Sequence, residues 1–309
     1  MITLVIPCFN EQENLPLLYE KIIKAAEEWK EPFEVIIIDD GSNDSTWEIL
    51  KQFHTKDVRW KALRFSRNFG HQKAISAGLF YAGGDCAVIL DADLQDSPGE
   101  VRRFIEKWKE GYEVIYAIRL KRKENFFKRV SYKIFYRILG CLSDIKIPYD
   151  SGDFCLIDRK VIDVLNSIRE QDRFVRGLRA WIGFRQVGIK YERNIRHAGK
   201  PKFTLRKLKN LAFSGIFSFS IVPLQIATYL GLIICATTFL LAIFYFFKHF
   251  SVQPHYILII AFFLGGAQLL CLGVLGEYIG RIYNEVRNRP LWIIRDTLGI
   301  NIKKHFNSL

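Results

Sequence analysis

Cysteine is scarce and unpatterned: the 309 residues hold six, at positions 8, 86, 141, 155, 235 and 271, with no C-x-x-C pair and no zinc-ligand spacing. That excludes a disulfide framework and a structural zinc, and fits thiols kept reduced on the cytosolic side of a membrane. No signal peptide is expected, because the chain enters a strand-like "ITLVIP" directly after Met1. Acids are in deficit, with 32 Asp and Glu against 45 Lys and Arg, a net charge of +13. No nucleic-acid motif accompanies that excess, so the partner expected is an anionic membrane surface and no nucleic acid. The same field would draw in a polyanionic substrate. Charge is absent altogether from Ala212 to Phe247 and from Tyr256 to Gly276.

Each uncharged stretch is long enough to cross a bilayer, which takes about 20 apolar residues as a helix. Soluble helices of such length carry a polar face. Two transmembrane helices are therefore predicted, at about 221–247 and 256–280. The segment between them, Lys248 to His255, has room only for a hairpin, which places both chain ends on one side. Lys202, Arg206, Lys207 and Lys209 precede the first span and Arg281, Arg287 and Arg289 follow the second, so that side is expected to be cytoplasmic. Apart from Glu277 near the end of the second, neither span carries an acidic or basic residue, which argues against a transporter. The plan is a cytoplasmic domain over 1–205, a juxtamembrane helix with two spans over 206–283, and a cytoplasmic tail over 284–309, in a multi-pass protein of the inner cell membrane.

Within the first part, residues 2–7 and 35–38 ("VIII") read as buried strands, with a helix from about Leu15 to Trp29 between them. A helix at Ser45 to Phe53, a strand at Trp60 to Phe65, a helix at Gln72 to Tyr81 and a strand at Cys86 to Leu90 continue the alternation. The class predicted is α/β, a Rossmann-like, mostly parallel sheet with helices on both faces. Ligands of such sheets bind beyond the carboxyl ends of the strands. Polar clusters stand there: Pro7, Asn10 and Glu11; then Asp39, Asp40, Gly41 and Ser42; then Ser66, Arg67 and Asn68; then Asp91, Asp93 and Gln95. Asp44 and Ser45 read as helix caps.

In "VILDADLQD" an apolar run ends in three acids. Asp91 and Asp93 point the same way as long as the extended geometry lasts. Carboxylates that close repel unless a cation lies between them, and oxygen ligands favour Mg²⁺ or Mn²⁺. Such an ion completes its shell with phosphate oxygens of a substrate. The alternative is a solvated turn between strand and helix.

The motifs "VIPCFNEQEN", "VIIIDDGSNDST", "LRFSRNFGHQKAISAG", "VILDADLQDSP" and "YDSGDFCLIDR", in that order, resemble those of the family 2 inverting glycosyltransferases of GT-A fold. Within that family the chain is most similar to the polyprenyl-phosphate sugar synthases. The likeness runs on through "RHAGKPKFTLRKL" and "GEYIGRIYNEVRNRP", and its two-span end is similar to the bactoprenol glucosyltransferase branch. The resemblance implies that Pro7, Glu11, Asp39 and Asp40 contact base and ribose. It implies that Asp91, Asp93 and Gln95 hold the metal, and that Arg119 lies between donor and acceptor phosphates. Arg196 and Lys202 would close over the diphosphate. Asp153 matches the position offered as catalytic base, although a phosphate monoester is largely dianionic at pH 7 and needs little deprotonation; orienting the acceptor or the sugar hydroxyls is the other role open to it. Cys155 stands where the family pattern has arginine. The expected reaction is transfer of a hexose, preferably from UDP-glucose, to undecaprenyl phosphate. A processive polysaccharide synthase would need a Q-x-x-R-W motif, which is lacking.

Outside the resemblance, "KRVSYKIFYRIL" sets Arg129, Lys133 and Arg137 at i, i+4, i+8 against an apolar side, which predicts an interfacial amphipathic helix over about 126–142. Arg129, Ser131, Lys133 and Arg137 are its candidate contacts to lipid phosphate; a soluble helix with a basic face is the alternative. Gly276 and Gly280 are in G-x-x-x-G spacing, which points to close helix packing and to a possible homo-oligomer. His71 reads as a helix-start hydrogen bonder.

Overall fold

The computed structural model describes residues 1–119, 151–192, 222–248 and 254–302. Its first half alternates as the sequence predicts: β1 (Ile2–Cys8), α1 (Leu15–Trp29), β2 (Phe33–Asp39), α2 (Thr46–Lys56), β3 (Trp60–Phe65), α3 (His71–Tyr81) and β4 (Cys86–Ile89). In α1 a proline in the first turn starts the helix, and Leu15, Leu18, Ile22, Ala25 and Trp29 bury one face at i+3 and i+4 steps. β1 and β2 are buried along their whole length, which is why they read as unbroken apolar runs. β1 pairs in parallel with β2 on one side and with β4 on the other. The strand order therefore reverses between β1 and β4, and the crevice beyond their carboxyl ends is where such a sheet takes its ligand.

The second half is less regular. It runs α4 (Val101–Lys109), β5 (Val114–Arg119), β6 (Ser151–Asp158), α5 (Arg159–Ser167), α6 (Val175–Trp181) and β7 (Gln186–Tyr191). The sheet order is β7-β5-β6-β4-β1-β2-β3-β8, where β8 is Ile294–Leu298. β6 runs antiparallel to both neighbours, so the sheet is mixed, with parallel pairing concentrated around β1. Helices cover both faces. One apolar layer gathers Trp29, Trp47, Trp60, Phe104 and Phe154, and the other Val5, Ile38, Leu63, Phe65 and Ile162. On that second face a Cβ at Gly78 would stand 2.2 Å from Val5 Cγ1, so glycine is what lets α3 lie directly on the strands.

α7 (Val222–Lys248) and α8 (Pro254–Val286) are the two long apolar helices. Their stretches Leu224–Leu241 and Ile260–Val286 have mean hydropathies of 1.9 and 1.7, and neither is covered by the rest of the described chain. Apolar side chains such as Leu232, Phe239, Phe262 and Leu270 stand exposed around them, a surface that suits lipid and not water.

The segment read as a tail, 284–309, does more than trail. Gln171 N donates to Glu285 Oε1 at 2.8 Å, and Gln171 Nε2 to the Arg289 carbonyl at 2.8 Å. Trp292 stacks on Phe65 with ring centroids 6.4 Å apart, and Ile294–Leu298 then adds an antiparallel strand to β3. That pairing covers an edge that would otherwise present unpaired backbone groups.

Candidate active site

The loops after β1 and β2 are knitted together by side chains that satisfy each other's backbone. Asn10 N donates to Ser42 Oγ at 2.8 Å, Asn43 N to Asn10 Oδ1 at 2.9 Å, Glu11 N to Thr46 Oγ1 at 3.0 Å, and Ser45 N to Gln12 Oε1 at 3.0 Å. Asn10 takes a left-handed conformation, φ 52°, which asparagine tolerates better than most residues. Glu11 accepts from Asn14 Nδ2 at 2.6 Å, and Pro7 is buried near the end of β1. Asp39 is fully buried; its Oδ1 accepts from Ser42 N at 2.8 Å, while Oδ2 takes no hydrogen bond and lies 3.4 Å from Arg64 Nε. Burial pushes the Asp39 pKa up, against the pull of Ser42 and Arg64.

Asp40 has a task the sequence did not suggest. Its Oδ1 accepts from Phe69 N at 2.7 Å and its Oδ2 from Gly70 N at 3.0 Å, so it fastens the loop after β3. Gly41, at φ 74°, makes that approach possible: a Cβ there would lie 2.6 Å from the Arg67 carbonyl carbon. Asp40→Ala would leave those amides without their acceptor, at about 1–3 kcal/mol for each one left buried. The expected outcome is a lower melting temperature together with faster hydrogen exchange at Phe69 and Gly70.

Beyond β4 the two acids do not share one face of an extended strand. The strand ends at Ile89, and Leu94 in the next turn has φ 60°, a conformation a buried leucine adopts only where its surroundings hold it. Asp93 Oδ1 closes the turn by accepting from Gln95 N at 3.1 Å. Asp91 faces inward, with Oδ1 3.6 Å from His71 Nε2. The same nitrogen is 3.5 Å from Asp153 Oδ2, so the first residue of α3 bridges two carboxylates. Sheet register explains the meeting: Ile89 on β4 opposes Cys155 on β6, and two residues outward the acids stand side by side.

On its other side Asp153 Oδ1 accepts from Arg176 Nη2 at 3.3 Å. Arg179, one helical turn on, is almost entirely buried, with its guanidinium 5.4 Å from the Tyr116 ring centre and beside the Cys155 thiol. The cation expected at position 155 thus comes from α6, and burial raises the thiol's own pKa. Burial would raise the Asp153 pKa too, but Arg176, with His71 behind it, outweighs burial and holds the carboxyl far below the usual carboxylate range. His71 loses solvation in the cleft, yet the Asp153 hydrogen bond and the Asp91 charge push it up to about 9. Asp91 is pushed up to about 6 by burial and by Asp96, Asp153 and Asp93, with His71 pulling the other way.

Asp39, Asp40, Asp91, Asp93 and Asp153 therefore lie at one end of the sheet, where the His71 charge acts on Asp40, Asp91 and Asp153 together. The backbone of Arg119 ends β5 opposite Tyr191, next to the start of β6. The Arg119 side chain, the helix expected at 126–142 with Arg129, Ser131, Lys133 and Arg137, and the loop with Arg196 and Lys202 lie outside the described residues. Sequence reasoning passed over Arg176 and Arg179, and over Asp96, a buried acid that accepts from the Tyr191 hydroxyl. The i, i+3 spacing of the arginines in "RFVRGLRAW" was the one signal available. Among the described residues no three His, Cys, Asp or Glu side chains form a closed metal cage.

A mixed sheet with parallel strands around β1 and a carboxylate-rich crevice at its switch point is the GT-A arrangement of a glycosyltransferase. The chain belongs to glycosyl transferase family 2, whose model matches residues 3–165. It is 44% identical over 308 residues to the uncharacterized glycosyltransferase YkcC of Bacillus subtilis (strain 168), spanning 98% of this chain and 95% of that protein. It is 38% identical over 300 residues to the bactoprenol glucosyl transferase of Shigella phage SfII, spanning 95% of this chain and 97% of that protein.

Proposed function

We propose that the protein transfers glucose from UDP-glucose to polyprenyl phosphate with inversion, at the cytoplasmic face of the membrane. What supports this reading is the set of acids Asp39, Asp91, Asp93 and Asp153 at the carboxyl-end side of β1, β2 and β4, in a chain that also carries two bilayer-length helices. The full-length likeness to a protein named for glucosyl transfer to bactoprenol supports the choice of sugar and lipid.

A divalent cation fits the residues present. Burial, and after it the charges of Asp96, Asp153 and Asp93, push Asp91 up to about 6; carboxylates so placed gain from a positive charge among them, and an all-oxygen donor set selects Mg²⁺ or Mn²⁺. Asp91, Asp93 and Gln95 would hold it, and it would neutralise charge on the diphosphate. Asp39 offers a buried acceptor to the nucleoside. Arg119, Arg196 and Lys202 are assigned to the phosphates by family resemblance. Asp153, so strongly held in its ionised form, is a poor proton acceptor; it can take hydrogen bonds from sugar hydroxyls and so fix the anomeric carbon. The acceptor phosphate, with a second pKa near 6, attacks as the anion it already is.

Membranes containing the protein, incubated with labelled UDP-glucose, UDP-GlcNAc, UDP-galactose or GDP-mannose and then extracted for lipid, should yield label in polyprenyl phosphate from UDP-glucose. Label from a different donor alone would replace the sugar in this reading, and label from none would refute it.

A further inference from the structure

Three side chains of alternating sign stand opposite one another across three adjacent strands. Asp39 on β2 is in register with Arg64 on β3, and Arg64 is in register with Asp296 on β8. Arg64 Nε lies 3.4 Å from Asp39 Oδ2, its Nη2 donates to the Ser42 carbonyl at 3.3 Å, and its Nη1 lies 3.9 Å from Asp296 Oδ2. The Trp47 ring, 5.7 Å away, covers the guanidinium. Arg64 thus touches the acid and the loop that receives the nucleoside, while its outer partner is donated by the strand that returns from the second apolar helix.

We infer that Arg64, held in place by Asp296, is a positioning residue that aims the Asp39 carboxylate at the nucleoside. Asp39 needs such help because it has one oxygen tied to Ser42 and the other free of hydrogen bonds in a fully buried setting. A buried carboxylate tethered only to Ser42 can rotate or take up a proton, and either would spoil it as an acceptor for a base N–H. Arg64 opposes both by placing positive charge beside Oδ2. Opposite charges directly across neighbouring strands favour the pairing, so β8 acts on the donor pocket through Arg64. The inference rests on the reading that Asp39 meets the nucleoside.

The test uses the full-length protein in detergent, with uridine and pyrophosphate as separate inhibitors of transfer. Arg64→Gln should raise both KM for UDP-glucose and Ki for uridine on the order of tenfold, the weight of a partner that orients a binding group. Ki for pyrophosphate, KM for the lipid and kcat should stay within about twofold, and Arg64→Lys should recover part of the loss. Asp296→Asn, at a half-exposed site that tolerates the change, should shift uridine binding by about two- to threefold. Should Asp39→Asn weaken uridine while Arg64→Gln leaves it unchanged, the positioning role is overturned and the nucleoside reading stands. Should Asp39→Asn leave uridine unchanged, the nucleoside reading itself falls. Equal weakening of both inhibitors by Arg64→Gln, with a lower melting temperature, would mark Arg64 as merely structural and also overturn the inference.

Discussion

Asp93→Asn is expected to lower sugar transfer by about 10²- to 10³-fold, the size of effect seen when a preorganised electrostatic group is removed from a reaction centre. The substitution is nearly isosteric, and the amide oxygen can still accept from Gln95 N, so the turn should persist. What disappears is one negative charge at the place assigned to the cation. Affinity for Mn²⁺ in the presence of UDP should therefore fall along with transfer, and binding of uridine alone should not. Transfer of label into extracted lipid, together with calorimetry on the same sample, would show both. Wild-type rates in the variant would remove Asp93 from the mechanism.

Asp153→Asn is expected to cost about as much in kcat, for a different reason. Arg176 and Arg179 would face an amide in place of their carboxylate, and breaking that part-buried charge pair lowers stability. Activity must therefore be read well below the variant's melting temperature. The pH profile separates the two roles open to Asp153. An unperturbed aspartic acid titrates near 3.9. With its pKa held well below that by Arg176 and His71, Asp153 stays ionised throughout pH 5 to 8. Its own protonation therefore contributes no acid limb in that range, whereas loss of its charge in Asp153→Asn should lower the pKa values of Asp91 and His71 and move any limb those two set. A wild-type acid limb between pH 5 and 7 that vanished outright in the variant, instead of moving to lower pH with Asp91, would restore the general-base role.

The β1 to β4 unit was legible to within two residues, save the second helix, which runs three residues past Phe53 to Lys56, because buried parallel strands are written as uninterrupted Val and Ile, and a ligand-binding sheet must place its polar residues at their ends. Asp39, Asp91 and Asp93 were found by that rule. The later strands were harder: Gln186–Tyr191 and Ile294–Leu298 lie at the two edges of the sheet and carry charged residues among apolar ones, a pattern that a loop or a tail also shows. His71 illustrates a second limit. A histidine opening a helix is ordinary in sequence, and only the antiparallel pairing of β4 with β6 brings Asp91 and Asp153 within reach of its ring. The role of Arg179 beside Cys155 was hidden likewise, since three arginines at i, i+3, i+6 describe a solvated helix face just as well.

The strand at Ile294–Leu298 imposes an order on biogenesis. During synthesis β3 must wait, with one margin bare, until both greasy helices have left the ribosome and the last stretch of polypeptide follows them. Synthesis of both apolar helices thus precedes completion of the sheet, and a chain released before they are made would be an unfinished one. A version without the two apolar helices would have to splice residues 290–302 back onto the α/β body, because cutting the chain ahead of the first helix discards part of the catalytic sheet.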